Sequence, residues 1–223
     1  MAIDKKKAPA IIRIGIIVVC SILVLSFIPW GGLGLFTGPT QNGVPGTGTL
    51  DAIAARHTPQ VVGLEGLLVS QPASYTVLMQ LGHTYYNWAA EVMTATAAPR
   101  GSDRPLWLAA VSFYDQALAL NATIPGDITD AAIARYYSGD TAGAIELIGT
   151  ALGVDPNFAP AHFNAGIFYE SAGQVSEALA AYSRYLELDP QGTGPGSLTM
   201  AQNAIARLSA ATPTVEATPA PTP

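Results

Sequence analysis

The side chains able to do chemistry in this chain are few and scattered. His57, His83 and His162 are separated by 26 and 79 residues, far from the H-x3-H type of spacing that lets two imidazoles reach one metal. His162 stands next to Phe163 on a helical stretch, a packing setting rather than a ligand setting. The one cysteine, Cys20, lies inside an apolar run, so the chain holds neither an internal disulfide nor a thiolate metal site. Ile17, Val18 and Val19 precede it, not the small residues of a lipoprotein signal. There is no G-x-S-x-G elbow, no P-loop and no G-x-G-x-x-G opening a helix. Gly31, Gly32 and Gly34 follow an apolar span, a poor place for a phosphate cradle. Asn121-Ala122-Thr123 has the form of a glycosylation sequon, which matters only in a eukaryotic secretory setting. Carboxylates such as Glu146 and Glu177 have the pattern of solvated helix faces. The expectation is therefore a non-enzyme without metal or cofactor, whose working residues form a binding surface.

The elements that would carry such a surface are set out by charge. Nearly half of the 223 residues are apolar (49%), but unevenly: no charged side chain occurs between Arg13 and Asp51. Ahead of that gap Lys5, Lys6, Lys7 and Arg13 face only Asp4. Beyond Trp30 there are six arginines, no lysine and fifteen carboxylates, a net of −9. An acidic body without a basic stripe excludes nucleic acid as the expected partner, since phosphate neutralisation needs clustered lysine and arginine. It leaves a solvated acidic surface or an acidic docking face.

Residues 11–36 read as a transmembrane helix, with 1–10 as a basic N-terminus. Ile11 to Trp30 would by itself span about 30 Å as a helix. Ile14, Ile17, Leu23, Leu25 and Phe27 would meet lipid, with Trp30 at the interface. A cleaved signal peptide would carry a shorter apolar region and an Ala-x-Ala-like site; PWGGLGLFTGPT offers none, which favours an uncleaved anchor. The lysines before the span place the N-terminus in the cytoplasm and the rest of the chain outside it, in a single-pass arrangement at the cell membrane. Residues 37–49 form a Gly/Pro/Thr tether, and 211–223 (ATPTVEATPAPTP) a Pro/Thr tail that cannot bury a core.

Between tether and tail the sequence repeats itself. Gly139 and Gly173, Ala144 and Ala178, Asp155 and Asp189, and Pro156 and Pro190 are each 34 residues apart. One step back places Ala110, Ala117 and Asn121 in the same register. A 34-residue period closed by Leu-x-x-Asp-Pro resembles the tetratricopeptide repeat, W-x2-L-G-x2-Y…A-x3-F…P. Ala165-Gly166, Tyr169, Ala178, Tyr182 and Pro190 fill its slots in the last repeat. Leu81-Gly82, Tyr85, Ala110, Tyr114 and Ala117 fill them in the first. The first repeat carries 16 extra residues between Gly82 and Ala110 compared with Gly166 and Ala178, falling around AEVMTATAAPRGSDRP, so lengthened helices and a longer loop are expected there. The middle repeat departs most, with Ala132 in the glycine slot and Arg135 where tyrosine is expected, beside Tyr136.

The resemblance implies an all-α solenoid over 50–210. Its repeats would lie at about 74–124, 125–158 and 159–192, with a capping helix over 197–210. Small residues at Gly82, Gly166, Ala110, Ala144 and Ala178 allow helices to approach closely, while Tyr85, Tyr114, Ile148, Tyr169 and Tyr182 fill the space between hairpins. One hairpin cannot bury its own apolar face, so caps are needed. Leu50 to Ser70 supplies one or two short helices at one end. At the other, Leu198, Ala201, Ile205 and Leu208 share one face of a closing helix.

In this family the first helix of each repeat lines a concave groove. That implies a partner-binding set of Met79, His83, Tyr86 and Asn87, then Ile133, Tyr136 and Tyr137, then Phe163, Asn164, Ile167 and Glu170. Such a lining suits an extended or helical peptide. One subclass clamps a C-terminal carboxylate with lysine and asparagine; Asn164 is compatible, but Phe163 takes the lysine slot. The expected function is a membrane-anchored interaction scaffold presenting this groove outside the cytoplasm to a membrane-associated protein. Two narrower roles share the architecture. One is an accessory subunit of a respiratory or photosynthetic complex; the other is an assembly factor or holdase at the translocon or in c-type cytochrome maturation.

Overall fold

The computed structural model describes residues 49–96 and 98–211, which hold eight helices and no strand. They are α1 (Leu50–Ser70), α2 (Tyr75–Thr94), α3 (Arg104–Leu118), α4 (Pro125–Ser138), α5 (Thr141–Val154), α6 (Ala159–Ser171), α7 (Val175–Leu188) and α8 (Leu198–Ala211). The span expected over 11–36, with Ile14, Ile17, Leu23, Leu25, Phe27 and Trp30, lies outside the described residues. So do Cys20, the tether up to residue 48 and the tail from residue 212. Among the described residues no helix is long and apolar enough to cross a membrane.

Helices α2/α3, α4/α5 and α6/α7 pair as antiparallel hairpins, α1 packs on α2, and α8 on α7. The first helices of the hairpins also neighbour one another, α2 with α4 and α4 with α6. The 34-residue register has a direct physical cause. Gly139 (φ 99°) and Gly173 (φ 74°) adopt the left-handed conformation that ends a hairpin's first helix. After each, the next N–H bonds back to the last turn, Asp140 N to Arg135 O and Gln174 N to Tyr169 O, both at 2.9 Å.

The glycine slot is equally constrained. A Cβ at Gly82 would stand 2.5 Å from the Tyr114 ring, and one at Gly166 would stand 2.5 Å from the Tyr182 ring. Tyrosine on the second helix therefore requires glycine on the first. The middle repeat relaxes both members at once: Ala132 fills the slot and Ile148 stands where the tyrosine would be, both in one core cluster.

The 16 extra residues of the first repeat are shared out. Against the last repeat, α2 runs seven residues further past its glycine, the connection is six longer, and α3 begins three earlier. The added turns of α2 reach α1. His57 stacks on Trp88 with ring centroids 5.7 Å apart, and its Nε2 lies 2.8 Å from Glu91, which Arg56 also holds. Hydrogen bonds from His57 and Arg56 keep the Glu91 carboxyl below its ordinary range.

The N-terminal cap was expected as one or two short helices and is one, despite Pro59. Proline removes a backbone bond and crowds the preceding turn. Here Ile53 before it and Val61, Leu64 and Leu68 after it are all buried, so packing holds both halves in line. At the far end Asp189 accepts from Thr193 N (2.9 Å) and Gly194 N (3.0 Å), fixing the connection that delivers α8.

Candidate functional site

A run of rings passes from α2 through α3 to α4 and α6. Tyr86 meets Trp107 edge-on at 5.0 Å, and Trp107 stacks on Tyr137 at 4.9 Å. Tyr137 meets Tyr136 edge-on at 5.2 Å, and Tyr136 stacks on Phe168 at 4.9 Å. Trp107 is the buried hub: it is 1% exposed, and its Nε1 donates to Asp103 at 3.0 Å. Tyr137 is 42% exposed, so this tyrosine offers its ring to solvent while its other face is supported from below.

At the C-terminal end the rings border a pocket of about 590 Å³. Tyr136 and Tyr137 of α4 form one wall, Ile167, Glu170 and Ser171 of α6 the next, and Tyr182 of α7 lies between. Met200, Asn203, Ala204 and Arg207 of α8 close it. The charges inside are balanced: Arg207 Nη2 is 2.7 Å from Glu170 Oε1, and the Tyr182 hydroxyl donates to Glu170 Oε2 at 3.3 Å. Burial, then the adjacent Glu170 carboxylate, pushes the Tyr182 hydroxyl well above its usual range. This pocket is apolar in its walls with polar groups at set points, the composition of a site that binds by shape and a few hydrogen bonds.

At the N-terminal end the same groove is acidic. Asp127 and Asp130 lie three apart on α4. Tyr75 donates to Asp127, and His83 Nε2 is 3.2 Å from Asp130. That hydrogen bond raises the His83 pKa above its ordinary value against the opposing effect of burial. Burial and nearby Asp130 raise the Tyr86 hydroxyl to about 12.

The expected site residues thus separate into groups. Tyr136, Tyr137, Ile167 and Glu170 meet at the C-terminal pocket, while His83 and Tyr86 stand at the acidic end and Asn87 is exposed beside them. Ile133 is half-buried and packs against the middle core. Asn164 turns its amide back to Pro160 O at 2.8 Å. Met79 (4% exposed) and Phe163 (8%) are core residues, the latter against Tyr182 and Tyr185. Sequence reasoning missed Arg207, Asn203 and Met200, although 200, 203, 204 and 207 form a second i, i+3, i+4, i+7 face on the cap helix. It also missed Asp127 and Asp130, which share a face of α4 with Ile133 and Tyr137. Among the described residues, no group of three His, Cys, Asp or Glu side chains is placed to hold a metal ion.

Comparison with known proteins agrees with this architecture. Residues 129–193 match the tetratricopeptide-repeat family model, which covers the two regular repeats and leaves out the expanded first one. Two crystal structures of MamA align with TM-scores of 0.57 and 0.58 at 18% identity, over 70% of this chain and 73% and 79% of theirs. The crystal structure of a thermophilic TPR protein of Thermus thermophilus aligns at 0.51 and 17% identity, over 73% of this chain and 81% of that one. No curated protein matches significantly in sequence. Identities this low establish the fold, a tetratricopeptide-type solenoid, and nothing finer.

Proposed function

We propose that this chain is a membrane-tethered docking protein, without catalysis of its own, whose groove holds an extended or helical segment of another protein on the extracytoplasmic side. The observation that carries the docking role is the pocket between α4, α6, α7 and α8. Four residues named from the sequence, Tyr136, Tyr137, Ile167 and Glu170, line it together with a cap helix. Exposed tyrosine backed by a buried tryptophan is the kind of rigid anchor that concentrates binding energy at interfaces. The tether rests on the uncharged stretch after Arg13 and the three lysines before it. Tethering confines the groove to two dimensions and raises its effective concentration for membrane neighbours.

Photo-crosslinking in native membranes tests the docking role. A benzophenone side chain at Tyr137 should capture a discrete protein, and the same probe at exposed Ser183 of α7 should not. Equal capture at both positions, or none at either, sinks the groove reading. A band present in every purified particle points to a built-in subunit, and one that comes and goes points to an assembly factor. Protease added to spheroplasts tests the placement: cleavage of the repeat domain is expected, and its protection alongside a cut external control overturns the topology.

A further inference from the structure

Asp127 and Asp130 differ from the other paired carboxylates of the molecule. Among the described residues Glu91, Asp115, Asp140, Glu170 and Glu187 each have an arginine within ion-pair distance. Asp127 and Asp130 have Tyr75 and His83 instead. Even with His83 protonated, this end of the groove keeps a net negative charge. Both carboxylates are partly exposed, so a partner can reach them.

Beneath them lies a group with an unmet need. Tyr114 is fully buried, its ring 5.5 Å from that of His83. Burial first, and then the nearby Asp130, Tyr86 and Asp127, push its hydroxyl well above the usual tyrosine range, yet no described group hydrogen-bonds it. Leaving a buried hydroxyl unpaired is costly, and a bound donor would remove that cost. The surrounding rings of Tyr86 and the half-exposed Tyr137 present faces that attract cations. Over residues 49–211 six arginines meet fourteen carboxylates, a net of −8, so the long-range field also draws in positive charge.

We propose that the α2–α4 end of the groove receives a lysine or arginine side chain from a basic segment of the partner protein. The cationic head lies between Asp127 and Asp130 and donates to the Tyr114 hydroxyl, while Tyr86 and Tyr137 flank the aliphatic stem. This rests on the docking role proposed above and adds the partner's chemistry to it. An acidic segment is excluded at this end by repulsion from the two carboxylates.

The test uses the full chain in mild detergent and short fluorescein-labelled peptides with apolar flanks, identical except for a central lysine, arginine, norleucine or glutamate. At low salt the lysine and arginine peptides should bind about tenfold more tightly than norleucine. Most of that preference should vanish as ionic strength rises from about 0.05 to 0.5 M. The isosteric Asp127→Asn/Asp130→Asn variant should bring all four peptides within about twofold of one another. Tyr114→Phe should weaken the lysine peptide several-fold and leave norleucine unchanged. A norleucine peptide that binds as well as lysine overturns the assignment. So does a lysine preference that survives Asp127→Asn/Asp130→Asn, or the absence of binding by any peptide. In each of those cases the docking role stands or falls separately, on capture at Tyr137.

Discussion

The two ends of the groove are built from the same kind of helix, yet one is acidic and the other balanced in charge. At the α2–α4 end, two carboxylates rely on tyrosine and histidine. At the α6–α8 end, one carboxylate, Glu170, is met by Arg207. The arginine does not belong to any repeat; it comes from the cap. A capping helix in this fold therefore does more than shield an apolar edge: it sets the charge of the last binding position. The N-terminal cap supplies no arginine to the groove: Arg56, the one arginine of α1, pairs with Glu91 of the lengthened α2, which His57 also holds.

If the ends are separable, damage to one should leave the other standing. The largest effect is expected from Trp107→Ala. Trp107 is 1% exposed, supports both Tyr86 and Tyr137, and belongs to the core of α1–α4. Truncation of a buried tryptophan costs about 3–5 kcal/mol, readable as a fall in the urea midpoint of the full chain. Hydrogen exchange should rise in α2–α4 and change little in α7–α8. Equal acceleration throughout would mean that the solenoid melts as one unit and that its ends cannot be treated apart.

Packing, unlike charge, is shared by the two ends, and Gly82→Ala and Gly166→Ala probe it. Each new methyl would stand 2.5 Å from a tyrosine ring, and overpacking of this kind costs about 1–3 kcal/mol. Similar losses in the two variants are expected. A loss confined to Gly166→Ala would show that the longer α2 has slack that α6 lacks.

These same glycines explain what the sequence could reveal. Positions where a ring touches backbone, or where a helix ends left-handed, tolerate few residue types, so Gly82, Gly166, Gly139 and Gly173 leave a periodic trace. The first repeat's expansion was also visible, as lengthened helices and a longer loop around residues 90–105, but not what the added turns would meet. Trp88 and Glu91 gain their meaning only from His57, more than 30 residues away. Groove membership was less legible still. Adjacent helix positions point about 100° apart, which is enough to carry Met79 and Phe163 from the groove into the core. Arg207 and Asp130 look like any other surface charge until tertiary structure shows that one meets a carboxylate, Glu170, and the other only a histidine, His83.

Arg207→Gln sharpens the electrostatic comparison. The pair is exposed on the arginine side, 60% against 26% for Glu170, so the stability change should stay below about 1 kcal/mol. Binding should change more than stability. With Glu170 uncompensated, the C-terminal pocket becomes acidic like the other end, and the lysine peptide should gain a second site in a titration of stoichiometry. One site in both proteins would mean that pocket shape, not charge, selects the occupant there.

The smallest effect separates His83 from the carboxylates around it. Its pKa is raised in the folded protein mainly by the hydrogen bond to Asp130, with Asp127 adding to it. A group whose folded pKa exceeds its unfolded value, about 6.5 for histidine, stabilises the fold fully below that value. The contribution is lost as pH rises through the folded pKa. Because both side chains are about 40% exposed, screening should keep it under about 1 kcal/mol. Chemical denaturation of the full chain from pH 5 to pH 8 should show a small decline above about pH 6.5 that Asp130→Asn reduces. A His83 resonance titrating at or below the unfolded value would mean that burial outweighs Asp130. In that case His83 would not offset the negative charge, and the α2–α4 end would be more acidic at neutral pH than the pairing implies.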